Sequence, residues 1–450
     1  MAPIEPTFAK RLGSFDATMI VMGGIIGAGI FVNPSVVARQ VHTPFLVLGA
    51  WVIGGAIALI GAFVYAELAV LRPRVGGQYA YLRDAYHPIV AFLYGWTLLL
   101  VIQTGGMAGA AIIFGRYFRE LTGSGVSEQA IAAITLGALT VVNCFGVRVG
   151  SNVQSALMLT KLAAIALLIG VGVAVMPASG QAVAAPESSG GAIGLATAMV
   201  PVLFAYGGWQ TASFVSGEMR DPARDLPRGL LIGVVGVIVL YLAVTYVCLR
   251  ALGVGGLAAT ATPASELMRH FWGERGGRII ALGIAISTVG FLSQSILTAP
   301  RVYYAMARDG VFFQRVGTLN PRTRVPVVAI VLQGFWAAVI ALTGKYDQIL
   351  NYVVAIDVLF FGLTGAALIV FRRRGTAGAA AGSPAPAFRV PGHPVTTGVF
   401  VIACWAISAT TVVRYPTNAG IGVVILVIGV LVYQYWKRRD AAGRPAVTAA

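Results

Sequence analysis

Long apolar stretches alternate with short polar connectors along nearly the whole chain. Twelve stretches approach or exceed the ~20 residues that carry a helix across a bilayer. They fall at about 17–38, 45–71, 88–114, 130–147, 153–177, 192–217, 229–249, 279–304, 325–343, 349–371, 395–413 and 419–436. The longest connector, Arg372–Pro394, is rich in Ala, Gly and Pro and reads as a flexible loop. No connector is long enough for a separate soluble domain. The pattern predicts an all-α polytopic membrane protein with 12 transmembrane helices in a single transmembrane domain.

Two of these stretches are interrupted by glycine at corresponding places. One carries Met22-Gly23-Gly24-Ile25-Ile26-Gly27-Ala28-Gly29-Ile30-Phe31, the other Phe204-Ala205-Tyr206-Gly207-Gly208-Trp209. A helix broken within the membrane frees backbone N–H and C=O groups. In lipid these are costly unless they line a cavity or bind something. Two such breaks, each opening one half of a repeated unit, are the sequence mark of a secondary transporter's substrate site. The competing reading is close helix packing, for which membrane helices also use small residues. The paired position of the breaks favours the binding site.

Composition agrees with the pattern. The 450 residues are 58% hydrophobic and 11% charged, with a mean hydropathy of +0.83, a balance that excludes an ordinary soluble domain. The net charge of +16 belongs to the connectors, where Lys and Arg set topology and meet anionic headgroups, so nucleic acid is not implied. With a cytoplasmic N-terminus, 22 Lys and Arg fall on the inner side and 9 on the outer, with Lys161 inside a span. That bias predicts both termini in the cytoplasm and a multi-pass protein of the cell membrane. A polar N-terminus followed by a long first span without a small-residue cleavage site does not read as a signal peptide. Cys144, Cys248 and Cys404 lie in or beside apolar stretches and read as small core residues. His42, His87, His270 and His393 have no metal spacing. No phosphate-binding Gly-Lys-Ser/Thr loop is present, which argues against ATP-driven transport. Neither a cofactor nor an enzyme's catalytic set is implied.

The freed groups at the two breaks have a definite chemistry. Amides around Gly27-Ala28-Gly29 would sit at the positive end of the following half-helix and suit a carboxylate. Carbonyls freed at Gly207-Gly208 suit an ammonium, and Phe204, Tyr206 and Trp209 can wall off a side chain. Side by side, these describe an α-amino acid site.

The chain resembles the amino acid–polyamine–organocation superfamily, and within it the L-amino acid transporter branch. The resemblance covers nearly the whole chain. It is carried by Gly23–Phe31, by Pro73-Arg74-Val75-Gly76-Gly77-Gln78-Tyr79-Ala80-Tyr81, and by Phe204–Trp209 followed by Gly217-Glu218-Met219-Arg220-Asp221-Pro222. Ala307-Arg308-Asp309-Gly310 completes the set. The family implies a LeuT-like five-plus-five inverted repeat with discontinuous helices 1 and 6. Repeat one would cover about 14–177 and repeat two about 192–372, with two extra helices at about 395–437. It implies alternating access around an amino acid held at Ile25, Ile26, Gly27, Ala28 and Gly29 and at Phe204, Ala205, Tyr206, Gly207 and Gly208. One departure stands out. The family often has Ser or Thr between the two glycines of the first motif, and here it is Ala28. Some animal relatives are disulfide-linked to a glycoprotein through a cysteine between spans 3 and 4. The loop Gly115–Ser127 has none, so no such heavy chain is expected.

Ionisable groups inside spans are functional candidates by default. Lys161 lies about 12 Å along its helix from the cytoplasmic start, at ~1.5 Å per residue. A structural or coupling role competes with snorkelling of its stem to the surface. Related permeases place a span-5 lysine where sodium-coupled relatives bind an ion. On that resemblance Lys161 should donate to carbonyls near the span-1 break, and to span-8 hydroxyls such as Ser295 or Thr298, making transport sodium-independent. Asp357 stands far from either end of span 10, which by similarity borders the pocket. Binding a polar or cationic side chain, carrying a proton and making a helix–helix hydrogen bond are all open to it. Glu67, Glu218 and Arg301 lie near inner helix ends and read as ion-pair residues.

Further pocket or gate candidates are Trp209, Ile102, Gly106 and Ala110, the last three on one helical face. Ser293 and Gln294, next to Ser295, are either pocket groups or interhelical hydrogen-bond partners. The expected function is a secondary active permease for neutral L-amino acids, working as proton symporter or exchanger. The alternative is a carrier of cationic amino acids or polyamines. A receptor or channel is remote, because no filter or one-sign pore stripe is visible.

Overall fold

The computed structural model describes residues 12–72, 76–145, 150–174, 191–378 and 388–443. Pro73, Arg74 and Val75 of the second motif, and part of the Arg372–Pro394 connector, lie outside them. Helices dominate, and the described residues contain no strand beyond one isolated bridge, Leu12 with Met219.

In chain order the helices are α1 (Ser14–Ile25), α2 (Asn33–Val41), α3 (Pro44–Leu71), α4 (Gln78–Ala85), α5 (Pro88–Thr97) and α6 (Gln103–Thr122). Then come α7 (Glu128–Cys144), α8 (Gly150–Ala174), α9 (Gly191–Tyr206), α10 (Pro222–Ala259) and α11 (Pro263–Thr298). The last are α12 (Pro300–Arg308), α13 (Val327–Thr343), α14 (Tyr346–Gly378), α15 (Val395–Arg414) and α16 (Pro416–Gly443). Among the described residues, nine helical stretches are long and apolar enough to cross a membrane. Three shorter apolar helices, Ser14–Ile25, Glu128–Cys144 and Val327–Thr343, accompany them. The protein is a multi-pass membrane protein.

Local chemistry fixes many helix ends. Proline stands in the first turn of α2, α3, α5, α10, α11 and α12, where its missing N–H costs nothing. The hydroxyls of Thr43 and Ser127 accept from the amides of Leu46 and Ala130 and cap α3 and α7. The α6 helix outruns its apolar stretch to Thr122 and stops where Gly123 adopts a left-handed conformation, φ 66°.

Around the centre, α1 lies along α10, and α10 along α3. The α11 helix is packed on α6 and α8, and α13 on α6 and α7. The α14 helix packs on α15 and also touches α6 and α9. This encloses α1, α2 and α9, whose residues are mostly buried.

A π-helical turn, Leu98–Ile102, joins α5 to α6. Such turns leave backbone groups without their regular partners. Here the Thr104 hydroxyl donates to the Leu99 carbonyl at 2.8 Å, and the Trp336 indole to that of Leu100 at 3.0 Å.

Candidate functional site

Both glycine-rich segments break their helices where expected. The α1 helix ends at Ile25, and Ile26, Gly27 and Ala28 are non-helical. A short 3₁₀ turn, Gly29–Phe31, then leads into α2. The α9 helix ends at Tyr206, Gly207 and Gly208 turn the chain, and a 3₁₀ helix runs over Trp209–Glu218.

The two breaks touch backbone to backbone. A Cβ on Gly208, which has φ +105°, would lie 2.0 Å from the Gly24 carbonyl oxygen. One on Gly24 would lie 2.7 Å from the Gly208 oxygen, and one on Gly29 3.1 Å from the Ala205 Cα. Glycine is required here by proximity, and at Gly208 also by backbone conformation.

A cavity opens between the breaks. Its walls are Gly24, Ile25, Gly27, Ala28 and Gly29 from the first break, and Leu203, Phe204, Ala205, Gly207, Gly208, Gln210 and Thr211 from the second. Helix α6 adds Gln103, Gly106, Ala110 and Ile113, next to Ile102 of the π turn. Phe291 and Ser295 come from α11, and Val353, Val354, Asp357, Val358 and Phe361 from α14. A Cβ on Gly106 would meet nothing within 4 Å, so the space beside it is open.

The polar groups of the breaks divide in two. Several are bonded within the protein. The buried Lys161 ammonium donates to the carbonyls of Ile26 at 2.8 Å and Gly23 at 3.3 Å. The Tyr241 hydroxyl donates to Ile25 at 2.9 Å, and the Gln294 amide to Ile20 at 2.6 Å. On the second break, the Gly208 amide donates to Gln210 Oε1 at 2.9 Å, and the Thr211 hydroxyl donates to the Gly208 carbonyl at 2.7 Å. Asn33 ties the breaks together, donating to the Pro201 carbonyl at 2.7 Å and accepting from the Tyr346 hydroxyl at 2.8 Å. The Ala28 amide, on the cavity wall, has no protein partner among the described residues. Gly29 and Ile30 open a helical turn, so their amides have no partner within it either.

A family model described as amino acid permease matches residues 12–433. The chain belongs to the amino acid permease family. Named relatives align along most of it. The serine/threonine exchanger SteT of Bacillus subtilis (strain 168) is 28% identical over 442 residues, 96% of this chain and 98% of that protein. The human large neutral amino acids transporter small subunit 2 is 30% identical over 451 residues, covering 96% and 81% of the two chains. The rabbit (Oryctolagus cuniculus) b(0,+)-type amino acid transporter 1 is 30% identical over 385 residues, covering 82% and 77%.

In this permease, most of the residues singled out from sequence meet at the cavity: Ile25, Gly27, Ala28, Gly29, Phe204, Ala205, Gly207, Gly208, Ile102, Gly106, Ala110 and Asp357. Others stand behind it. Ile26 turns its carbonyl to Lys161. Tyr206 donates its hydroxyl to the Trp51 carbonyl at 3.2 Å and packs on Trp51 and Tyr241. Trp209 is buried edge-on against Tyr65, 4.7 Å between ring centroids, and beside Phe361 at 5.1 Å. It backs the wall, and Phe361 forms the lining surface.

Ser293 and Gln294 are not lining residues. Ser293 faces Asn143 and Gln294 reaches Ile20, both across to neighbouring helices, while Ser295 is on the wall. Lys161 bonds to carbonyls and not to the span-8 hydroxyls; the Thr298 hydroxyl donates to the Gln294 carbonyl. Gln103, Gln210, Thr211 and Phe291 were not anticipated. Gln210 and Thr211, two and three residues past the Gly207-Gly208 break, were the legible ones, as side chains that can reach back to freed peptide groups. At the inner ends, Glu67 pairs bidentately with Arg372 at 2.7 and 2.7 Å, and Glu218 with Arg301 at 3.0 Å.

Proposed function

We propose that the protein is a secondary active permease for neutral L-amino acids that works without sodium, as an exchanger or proton symporter. The observation that carries this is the facing of the two broken helices across the cavity. The unpartnered Ala28 amide and the opening of the 3₁₀ turn offer donors to an α-carboxylate. The carbonyl end of α9 offers acceptors to an α-amino group. Ala28 supplies no hydroxyl, so backbone carries the carboxylate. The predominantly apolar lining, with Phe204, Phe291 and Phe361, favours an uncharged side chain. The names of the relatives, all amino acid transporters or exchangers, support the substrate class.

Within this reading the chain crosses the membrane twelve times, the nine long stretches and three shorter apolar helices supplying the crossings. Two five-span units, about 14–177 and 192–372, are related as inverted repeats, with the helices at about 395–437 added. Both termini are cytoplasmic. Lys161 holds the place of a coupling cation: its ammonium already sits on the Gly23 and Ile26 carbonyls that a sodium ion would seek. No disulfide-linked partner is needed.

The test is uptake of labelled leucine, alanine and serine by proteoliposomes, with and without sodium, a pH gradient and internal amino acid. Uptake of at least one of them without sodium is expected. A sodium requirement overturns the coupling assignment, and arginine or polyamine uptake with all three inert overturns the substrate class.

A further inference from the structure

Asp357 is the one ionisable side chain among the described cavity-lining residues. Its carboxyl makes no hydrogen bond to any described residue, and its Oδ1 is fully shielded. Donors are close at hand but used elsewhere. From α15, the Trp405 indole donates to the Leu359 carbonyl at 3.4 Å and the Ser408 hydroxyl to that of Ala355 at 2.8 Å. These acceptors lie two residues to either side of Asp357, so the helix–helix role is filled without it. The hydroxyls of Tyr65 and Tyr94, within electrostatic reach, are also buried and make no bond to it. The surroundings on its own helix are apolar: Val354, Val358 and Phe361. A buried acceptor with no donor is costly. A few placed polar groups in a mostly apolar pocket are the arrangement that fixes ligand choice, and among those on this wall Asp357 is the one that can ionise.

We propose that Asp357 is a specificity-determining residue that accepts a hydrogen bond from the substrate's side chain, so that the cavity selects amino acids bearing a side-chain O–H or N–H over isosteric hydrocarbons. This rests on the amino acid reading of the cavity. Between the breaks, which hold the groups common to all amino acids, and α14, the open space beside Gly106 accommodates the side chain.

The experiment is competition against labelled alanine, which has no side-chain donor, on purified protein in proteoliposomes. Threonine is compared with its isostere valine, and lysine with norleucine, which lacks the terminal amine. In the native protein the donor-bearing member of at least one pair should compete at about 10- to 100-fold lower concentration, the size expected when a built acceptor is left unpaired. An advantage for threonine assigns the donor as neutral, and one confined to lysine assigns it as an ammonium; either supports the acceptor role. Asp357→Leu should bring the pair to within about threefold, and Asp357→Asn, which keeps an acceptor oxygen, should retain part of any threonine advantage. Equal competition within both pairs in the native protein overturns the inference and leaves the amino acid reading standing. So does an advantage that survives unchanged in Asp357→Leu. Alanine that is neither bound nor taken up overturns the amino acid reading, and this inference with it.

Discussion

Replacing Lys161 with methionine isolates what its charge does. Methionine keeps most of the side-chain volume, and a Cβ on the adjacent Gly290 would lie 3.2 Å from the lysine Cε, so the site is tight and the variant avoids opening a void. What disappears are two hydrogen bonds from a buried ammonium, at 2.8 Å to Ile26 and 3.3 Å to Gly23. Hydrogen bonds involving a charged group contribute about 1.5–3 kcal/mol each. Even at the low end, the pair holds this arrangement of the first break by about 3 kcal/mol. If the bonds exist in only one access state, their loss shifts the equilibrium between states on the order of 100-fold, at ~1.4 kcal/mol per factor of ten. The assay is initial uptake rate against pH in proteoliposomes, with folding checked by thermal unfolding in detergent. A fall of one to two orders of magnitude in rate, in a protein that remains folded, is expected. A variant with the native rate and pH profile would refute the reasoning.

Three further outcomes follow from the same geometry. Gly29→Val places a branched side chain where a Cβ already lies 3.1 Å from the Ala205 Cα; the variant should insert in the membrane but bind no alanine, and near-normal uptake would contradict the site. Tyr241→Phe removes the 2.9 Å bond to the Ile25 carbonyl and should lower stability by about 1 kcal/mol, read as a lower unfolding temperature. Glu67→Gln breaks the bidentate pair with Arg372 and the 2.6 Å bond from the Val390 amide. Since Arg372 is partly exposed, a loss near the low end of the range for buried pairs, about 3 kcal/mol, is expected, with the order of substrate preference unchanged.

The fold was legible where the physics is one-dimensional. A helix in lipid must satisfy its own backbone, so apolar length alone located the helices, and glycine pairs alone located both breaks. What escaped was set by partners distant in sequence. The π turn at Leu98–Ile102 has no glycine or proline; it rests on Trp336, more than two hundred residues away. Trp209 reads as an aromatic gate beside the break, but Gly61, whose Cβ would lie 2.7 Å from its ring, lets the indole sink behind the wall. Ser293, Gln294 and Ser295 look alike in sequence, and only helix rotation decides that Ser295 alone is on the wall.

The way the breaks are supported argues for a site more strongly than the breaks themselves. A helix interrupted merely for packing should have its freed groups answered wherever they point, because each unanswered one costs free energy in a buried setting. Here the first break is answered from behind the cavity wall. Lys161 of α8 and Tyr241 of α10 take the carbonyls of Gly23, Ile26 and Ile25, while Gln210 and Thr211 take both groups of Gly208. The protein thus expends two long polar side chains from two helices to settle carbonyls of the first break from behind the wall. The Ala28 amide and the Asp357 carboxyl, both on the cavity wall, receive nothing. An occupant with a carboxylate at one end and a side-chain donor at the other would complete both. That is the physical basis for reading the cavity as a substrate site and for expecting its selectivity to reside on α14.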